Sequence, residues 1–141
     1  MPCIDLPDLA ATEALGQRLA RLLRPGDTIL LEGPLGAGKS ALARALLRAL
    51  ADDPALEVPS PTYTLVQGYD TSIGLVQHFD LWRLDGEAAL AELGWDEAEA
   101  ALVEWPDRLG SLRPADALLV ELLPAGGDHR RAVLTGWEGR L

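Results

Sequence analysis

Gly33-Pro34-Leu35-Gly36-Ala37-Gly38-Lys39-Ser40 fits the pattern G-x-x-x-x-G-K-[ST] at every fixed position. The run before it, Asp27-Thr28-Ile29-Leu30-Leu31-Glu32, reads as a short buried strand. The stretch after it, Ala41 to Ala51, is rich in alanine, leucine and arginine and reads as a helix. The pattern thus stands in the strand-loop-helix setting its chemistry needs. Glycines let successive N–H groups curl toward one point, and the helix N-terminus adds partial positive charge there. A polyphosphate fits that cradle, with Lys39 reaching the β- and γ-phosphates and the Ser40 hydroxyl holding Mg²⁺.

The bland alternative is a glycine-rich turn that only caps a helix. Composition argues against it: of 12 basic residues every one but Lys39 is an arginine. A compact ammonium fits inside a tight phosphate loop where a planar guanidinium is too large.

The 141 residues bound the rest. They suit one domain spanning 1–141, with a real core but no separate substrate domain. With 48% hydrophobic and 24% charged residues, the composition is that of a soluble globular chain. No apolar run approaches the ~20 residues that span a bilayer, and Met1 to Leu6 lacks the basic-then-apolar order of a secretory signal. A cytoplasmic location without membrane association is therefore expected, and the single Cys3 suits a reducing compartment. A net charge of −10 opposes direct binding to a bare phosphate backbone. Cys3, His78 and His129 lack the spacing of transition-metal ligands, and both histidines read as ordinary, His78 within a strand and His129 in a polar turn.

Along the chain, Ile4 to Leu6 is a first short strand, and Asp8 caps a helix running from about Leu9 to Leu23, where leucines recur at helical spacing. Pro25-Gly26 stops it, and Asp52-Asp53-Pro54 closes the helix after the loop. Residues 55–62 form a loop with two prolines, and Thr62 and Thr64 are the hydroxyls able to sense a γ-phosphate and its Mg²⁺; a rigid surface connection is the equal alternative. Tyr63 to Tyr69 and Leu75 to Trp82 read as a hairpin around Asp70–Gly74. On its second strand Val76, His78 and Asp80 share one face. A helix is expected from Asp85-Gly86-Glu87 to Leu93, a second helical stretch over Asp96 to Ala101, then a strand over Ala101 to Pro106. Ala117 to Leu123 and Arg131 to Thr135 are the last strands. Helices alternating with strands, plus one hairpin, predict a three-layer α/β fold of the phosphate-loop NTPase kind with a mixed central sheet.

A phosphate loop needs carboxylates opposite it, to hold Mg²⁺ and to orient an attacking water. Glu104, behind Ala-Leu-Val, best matches an apolar strand followed by an acid, and Asp80 is second. For each the alternative is a solvated strand-end carboxylate. Trp105 either shields the site from water or packs against Pro106. The guanine-reading pattern [NT]-K-x-D is impossible, because the chain has no asparagine and its lysine is in the loop. Asp107-Arg108-Leu109-Gly110 fits D-x-x-G, a pattern short enough to arise by chance. ATP is the expected nucleotide.

Four segments together resemble the small bacterial P-loop ATPases called TsaE or YjeE, which take part in making threonylcarbamoyladenosine in tRNA. They are Gly-Pro-Leu-Gly-Ala-Gly-Lys-Ser (33–40), Ser-Pro-Thr-Tyr-Thr-Leu-Val (60–66), His-Phe-Asp-Leu-Trp-Arg-Leu (78–84) and Leu-Val-Glu-Trp-Pro (102–106), in that family's order and similar spacing. The resemblance implies that Gly33 through Ala41 bind ATP, that Ser40 and Glu104 hold Mg²⁺, and that Asp80 is a second essential acid. It also implies a switch-like Ser60–Thr64 loop, and Thr12 and Arg130 near the nucleotide. Its implied partners are TsaD and TsaB, with tRNA reached only through them and ATP hydrolysis resetting their complex. The chain departs from the family pattern at Pro34, where Asp is usual and an N–H is lost; at Ser40-Ala41, where Thr-Thr is usual; and at Trp82 in place of Tyr.

Two other readings compete. A small-molecule kinase shares the loop but needs arginines for an acceptor site, and between Arg48 and Arg108 only Arg83 is present. A nucleotide-dependent interaction module with vestigial hydrolysis is the other.

Overall fold

In the computed structural model, which describes residues 2–34, 36–59 and 65–141, the sheet is built outward from the strand before the loop. That strand, β2 (Thr28–Glu32), is central because three successive residues, Ile29, Leu30 and Leu31, are buried on alternating faces. A strand apolar on both faces can only sit between two layers. Around it are β1 (Cys3–Leu6), β3 (Val66–Thr71), β4 (Gly74–Asp80), β5 (Ala100–Glu104), β6 (Leu118–Pro124) and β7 (Arg130–Thr135). They form one seven-stranded sheet in the order β1-β7-β6-β2-β5-β4-β3. The inner strands β6, β2, β5 and β4 are mutually parallel; β3 pairs antiparallel to β4, and β7 runs antiparallel to both β6 and β1. The mixed sheet and the hairpin are as the sequence predicts.

Helices α1 (Leu9–Leu22) and α2 (Lys39–Ala51) cover one face. Asp8 caps α1, its Oδ1 accepting from Ala11 N at 2.8 Å, and Gly38 starts α2 in a left-handed conformation. Because β1 and β2 point the same way, the two helices return along the sheet side by side. They approach so closely at Gly16 that an added Cβ would lie 2.9 Å from both the Leu42 carbonyl oxygen and the Ala45 Cβ. Leu19, Leu42, Leu46 and Leu47 fill the space between helices and sheet. Full burial of each leucine contributes about 2 kcal/mol.

The other face is covered by two 3₁₀ helices, Glu87–Leu93 and Pro106–Leu112, which bring Leu90 and Leu109 onto Leu30, Phe79, Leu81 and Val103. Here the structure corrects the sequence reading twice. The expected helix over Glu87–Leu93 is a 3₁₀ helix closed by left-handed Gly94, and the second 3₁₀ helix was not anticipated. The helical stretch expected over 96–101 is absent: residues 96–99 are turn and bend, and Ala100 already belongs to β5. Glu99 explains this, because its N–H donates to the Leu75 carbonyl at 2.8 Å and its own carbonyl accepts from Gly26 N at 2.6 Å. Sheet partners on both sides outweigh the helix propensity of Glu and Ala, which tertiary contacts readily override. The hairpin is also tighter than expected, β3 reaching Thr71 and leaving only Ser72-Ile73 as its turn. Tyr63 and Thr64, expected in β3, lie outside the described residues. Among the described residues no helix is long and apolar enough to cross a membrane.

Candidate functional site

The carboxyl ends of the parallel strands meet at the start of α2. There β2 runs into the glycine-rich loop, and register pairs Leu31 with Glu104 and Glu104 with Asp80. Alternation along the strands places Val76, His78 and Asp80 of β4, and Leu102 and Glu104 of β5, on the helix-covered face; Val76 and Leu102 pack in its core. Sheet order thus brings together Lys39, Glu104 and Asp80, which are far apart in sequence.

The loop is fitted tightly to the sheet. At Gly33 the backbone has φ +149°, and an added Cβ would stand 2.5 Å from the Leu122 carbonyl oxygen of β6. Pro34 is exposed and its carbonyl accepts from Ala37 N at 3.0 Å, so a turn forms although Pro34 has no N–H of its own. Lys39 is only 7% exposed; its Nζ donates to the Gly33 carbonyl at 2.7 Å and lies 4.8 Å from the centre of the Trp105 ring. Ser40 is exposed on the first turn of α2, and Ala41, half-buried, follows it.

Arg130 closes the loop from behind. Its Nε donates to the Ala37 carbonyl at 2.9 Å, one terminal nitrogen to Gly36 at 3.0 Å, and the other to Gly127 at 2.5 Å and His129 at 3.0 Å. Thr12, 2% exposed, lies one turn before Gly16 and so level with the first turn of α2. Leu35 and Thr62, also expected at the nucleotide, lie outside the described residues.

The acids are buried, Asp80 at 6% and Glu104 at 4% exposure. Asp80 Oδ1 accepts from Trp82 N at 3.2 Å. Glu104 Oε2 is 2.7 Å from His78 Nε2, and the histidine is 2% exposed. His78 is therefore not the ordinary strand residue that the sequence suggested. Its alternation with Asp80 was visible; that the strand carrying Glu104 lies beside β4 was not. Trp105, at φ +60°, stacks against Trp82 with ring centres 5.0 Å apart. Trp82 is 48% exposed, so where the family pattern has a phenol this chain has one half of an aromatic pair. A cleft of about 330 Å³ is lined by Gly33, Lys39, Trp105 and Asp107, with Glu32 and Glu121 at its side.

Among the described residues no three His, Cys, Asp or Glu side chains are grouped to hold a metal. Mg²⁺ takes one or two protein oxygens and completes its shell with phosphates and water. The Ser40 hydroxyl and the Glu104 oxygen not facing His78 are the oxygens here that could hold such an ion.

The sheet, its flanking helices and the loop after β2 define an α/β chain of the phosphate-loop architecture. A family model described as "Threonylcarbamoyl adenosine biosynthesis protein TsaE" matches residues 6–133, and the chain belongs to that family. Among similar proteins, the tRNA threonylcarbamoyladenosine biosynthesis protein TsaE of Synechocystis sp. is 42% identical over 114 residues, covering 76% of this chain and 71% of the relative. That of Bacillus subtilis is 31% identical over 128 residues, covering 88% and 78%. The crystal structure of Bacillus subtilis YdiB aligns with a TM-score of 0.77 over 96% of this chain and 84% of that one, at 24% identity, a likeness of fold.

Proposed function

We propose that the chain is a Mg²⁺-dependent ATPase that serves tRNA threonylcarbamoyladenosine modification together with TsaD and TsaB. The observation that carries this reading is the convergence of buried Lys39, Glu104 and Asp80 where β2, β5 and β4 end, at the first turn of α2. The tRNA pathway rests on membership of the family and on the names of the relatives.

In this reading the loop N–H groups and Lys39 hold the triphosphate. Glu104 and Ser40 would hold Mg²⁺ from the protein side, and the ion would supply positive charge against that developing on the transferring phosphoryl group. Asp80 accepts a hydrogen bond from the attacking water and so aims its oxygen at the γ-phosphorus; the new oxygen–phosphorus bond forms as the bond to the β-γ bridging oxygen breaks, ADP leaves with that oxygen, and the water's proton passes by way of Asp80 to the released phosphate or solvent. The Trp82–Trp105 pair limits other water at the mouth. Basic residues around the reacting phosphate are few, and Arg130 is engaged with loop carbonyls, so hydrolysis by the chain alone is slow. Groups supplied in trans raise such rates by ~10³ to 10⁵ in other phosphate-loop proteins.

Thermal unfolding with and without Mg-ATP, combined with steady-state hydrolysis, tests the reading. The parent chain gains stability on adding nucleotide, and Lys39→Ala loses that gain. Glu104→Ala loses both Mg²⁺-dependent binding and turnover, whereas Asp80→Ala binds but does not turn over. Titration with TsaD–TsaB raises the parent rate. Parent-like hydrolysis by both acid variants sinks the chemical assignment, and a flat titration removes the partners from it.

A further inference from the structure

His78 occupies a place where a polar ring is costly. It sits on the helix-covered face of the sheet, two residues before Asp80, paired in register with Leu102 and 2% exposed. Burying such a ring without hydrogen bonds costs several kcal/mol (~2–7). Among the described residues its one recorded side-chain partner is Glu104, at 2.7 Å, and its Nδ1 has none. A leucine at this position would pack against Leu102 but leave the buried Glu104 Oε2 without this partner. What the histidine supplies and a leucine lacks is an N–H aimed at one oxygen of the Glu104 carboxylate. Toward an ionised carboxylate, which only accepts, the pairing tautomer is the one with its hydrogen on Nε2.

We propose that His78 is a positioning residue for the divalent cation: by fixing Glu104 Oε2 it locks the carboxylate in the rotamer that presents Oε1 to the metal of the bound nucleotide. Glu104 has three rotatable bonds, and ordering such a side chain costs on the order of 1 kcal/mol or more in rotamer freedom. With the histidine in place that cost is met when the chain folds, not when the cation arrives. Partners that orient a ligating group in this way typically contribute 10–100-fold to metal affinity. The inference rests on the Mg-ATP reading above.

The test uses the full chain and a fluorescent N-methylanthraniloyl ATP, titrated with Mg²⁺ and separately in EDTA. His78→Gln puts an amide N–H near the place of Nε2; His78→Asn is too short to reach, and His78→Leu has no donor. The expected result is a Mg²⁺ midpoint raised about tenfold or more in the Asn and Leu variants and restored largely by Gln. Affinity in EDTA, which reports the loop, stays unchanged in all three. Parent-like midpoints in Asn and Leu overturn the inference while leaving the Mg-ATP reading intact. Equal loss in all three, in EDTA as well and with a lowered melting temperature, overturns it in favour of a purely structural role. A parent chain whose binding ignores Mg²⁺ overturns the functional reading itself, and the inference with it.

Discussion

Gly33 stands where the strand gives way to the loop, and its surroundings leave no room for a side chain. Its positive φ is unfavourable for any L-residue, and the Leu122 carbonyl occupies the space a Cβ needs. Gly33→Ala therefore forces the loop away from β6, at a cost of about 1–3 kcal/mol. The same shift moves the carbonyl that holds Lys39. The expected outcome is a lower melting temperature together with nucleotide affinity reduced more than tenfold, read by calorimetric titration; unchanged affinity would mean the loop tolerates a rebuilt first residue. At this scale the glycines, Lys39 and Ser40 were legible, because a local pattern encodes a local shape. The roles of Arg130 and His78 were not. Arg130 entered the sequence reading only through a family likeness, as a residue near the nucleotide, and its carbonyl contacts depend on a hairpin formed 93 residues after Ala37. His78 depends on β5 lying beside β4.

Elements with a strong local signal were read correctly, α1 from leucine spacing, α2 from its alanine, leucine and arginine content, and β2 and β5 from short apolar runs. The failures cluster between β4 and β6 on the sheet's second face, where one expected helix is a 3₁₀ helix, another is absent and a second 3₁₀ helix was not anticipated. Their shape is set by contacts between segments, among them Glu87 Oε2, which accepts from both Ser111 N and Ser111 Oγ at 2.7 Å. These bonds, the side-chain one first, hold the Glu87 carboxyl below the ordinary glutamate range. A depressed acid stabilises the fold in its charged form. Its contribution is full above the ordinary glutamate range and is lost as the pH falls through the lower folded value. Ser111→Ala should return the Glu87 titration, followed by carbon-detected NMR, toward the ordinary range and flatten the acid side of the stability profile. A titration that does not move would detach this contact from the pairing of the two 3₁₀ helices. Glu87 is exposed, so the effect is local and belongs to these elements rather than to the whole core.

The molecule as a whole is closed at the end of the sheet opposite the loop. Arg140 grips Asp27 with both terminal nitrogens, at 3.2 and 2.7 Å, donates to the Leu22 carbonyl at 2.5 Å, and lies 3.9 Å over the ring of buried Trp137. One side chain thus joins the end of α1, the entry to β2 and the segment after β7. The Asp27 pairing holds the guanidinium charged, raising its pKa. Arg140→Ala is expected to lower stability by about 1–3 kcal/mol, seen as a reduced urea midpoint with unchanged slope. Arg140→Lys recovers little of it, since an ammonium cannot make the forked contact. An unchanged midpoint would separate the C-terminal segment from the cooperative unit. Nothing in the sequence announced this link, because Asp27 and Arg140 look like two ordinary surface charges until the sheet order brings β7 and β2 to opposite sides of β6.

The loop's dependence on Leu122 and Arg130 also sets an order in time. A chain emerging from the ribosome presents the glycines, Lys39 and Ser40 early, with the strand before them and the helix after. The carbonyl against which Gly33 is fitted and the guanidinium that gathers the carbonyls of Gly36 and Ala37 are made much later, Arg130 standing 93 residues after Ala37. Until then the motif is present as residues but has no fixed shape, and the closing β6–β7 hairpin turns it into a socket. On the proposed reading, a nascent chain is thereby kept from capturing nucleotide until β6 and β7 have been synthesised.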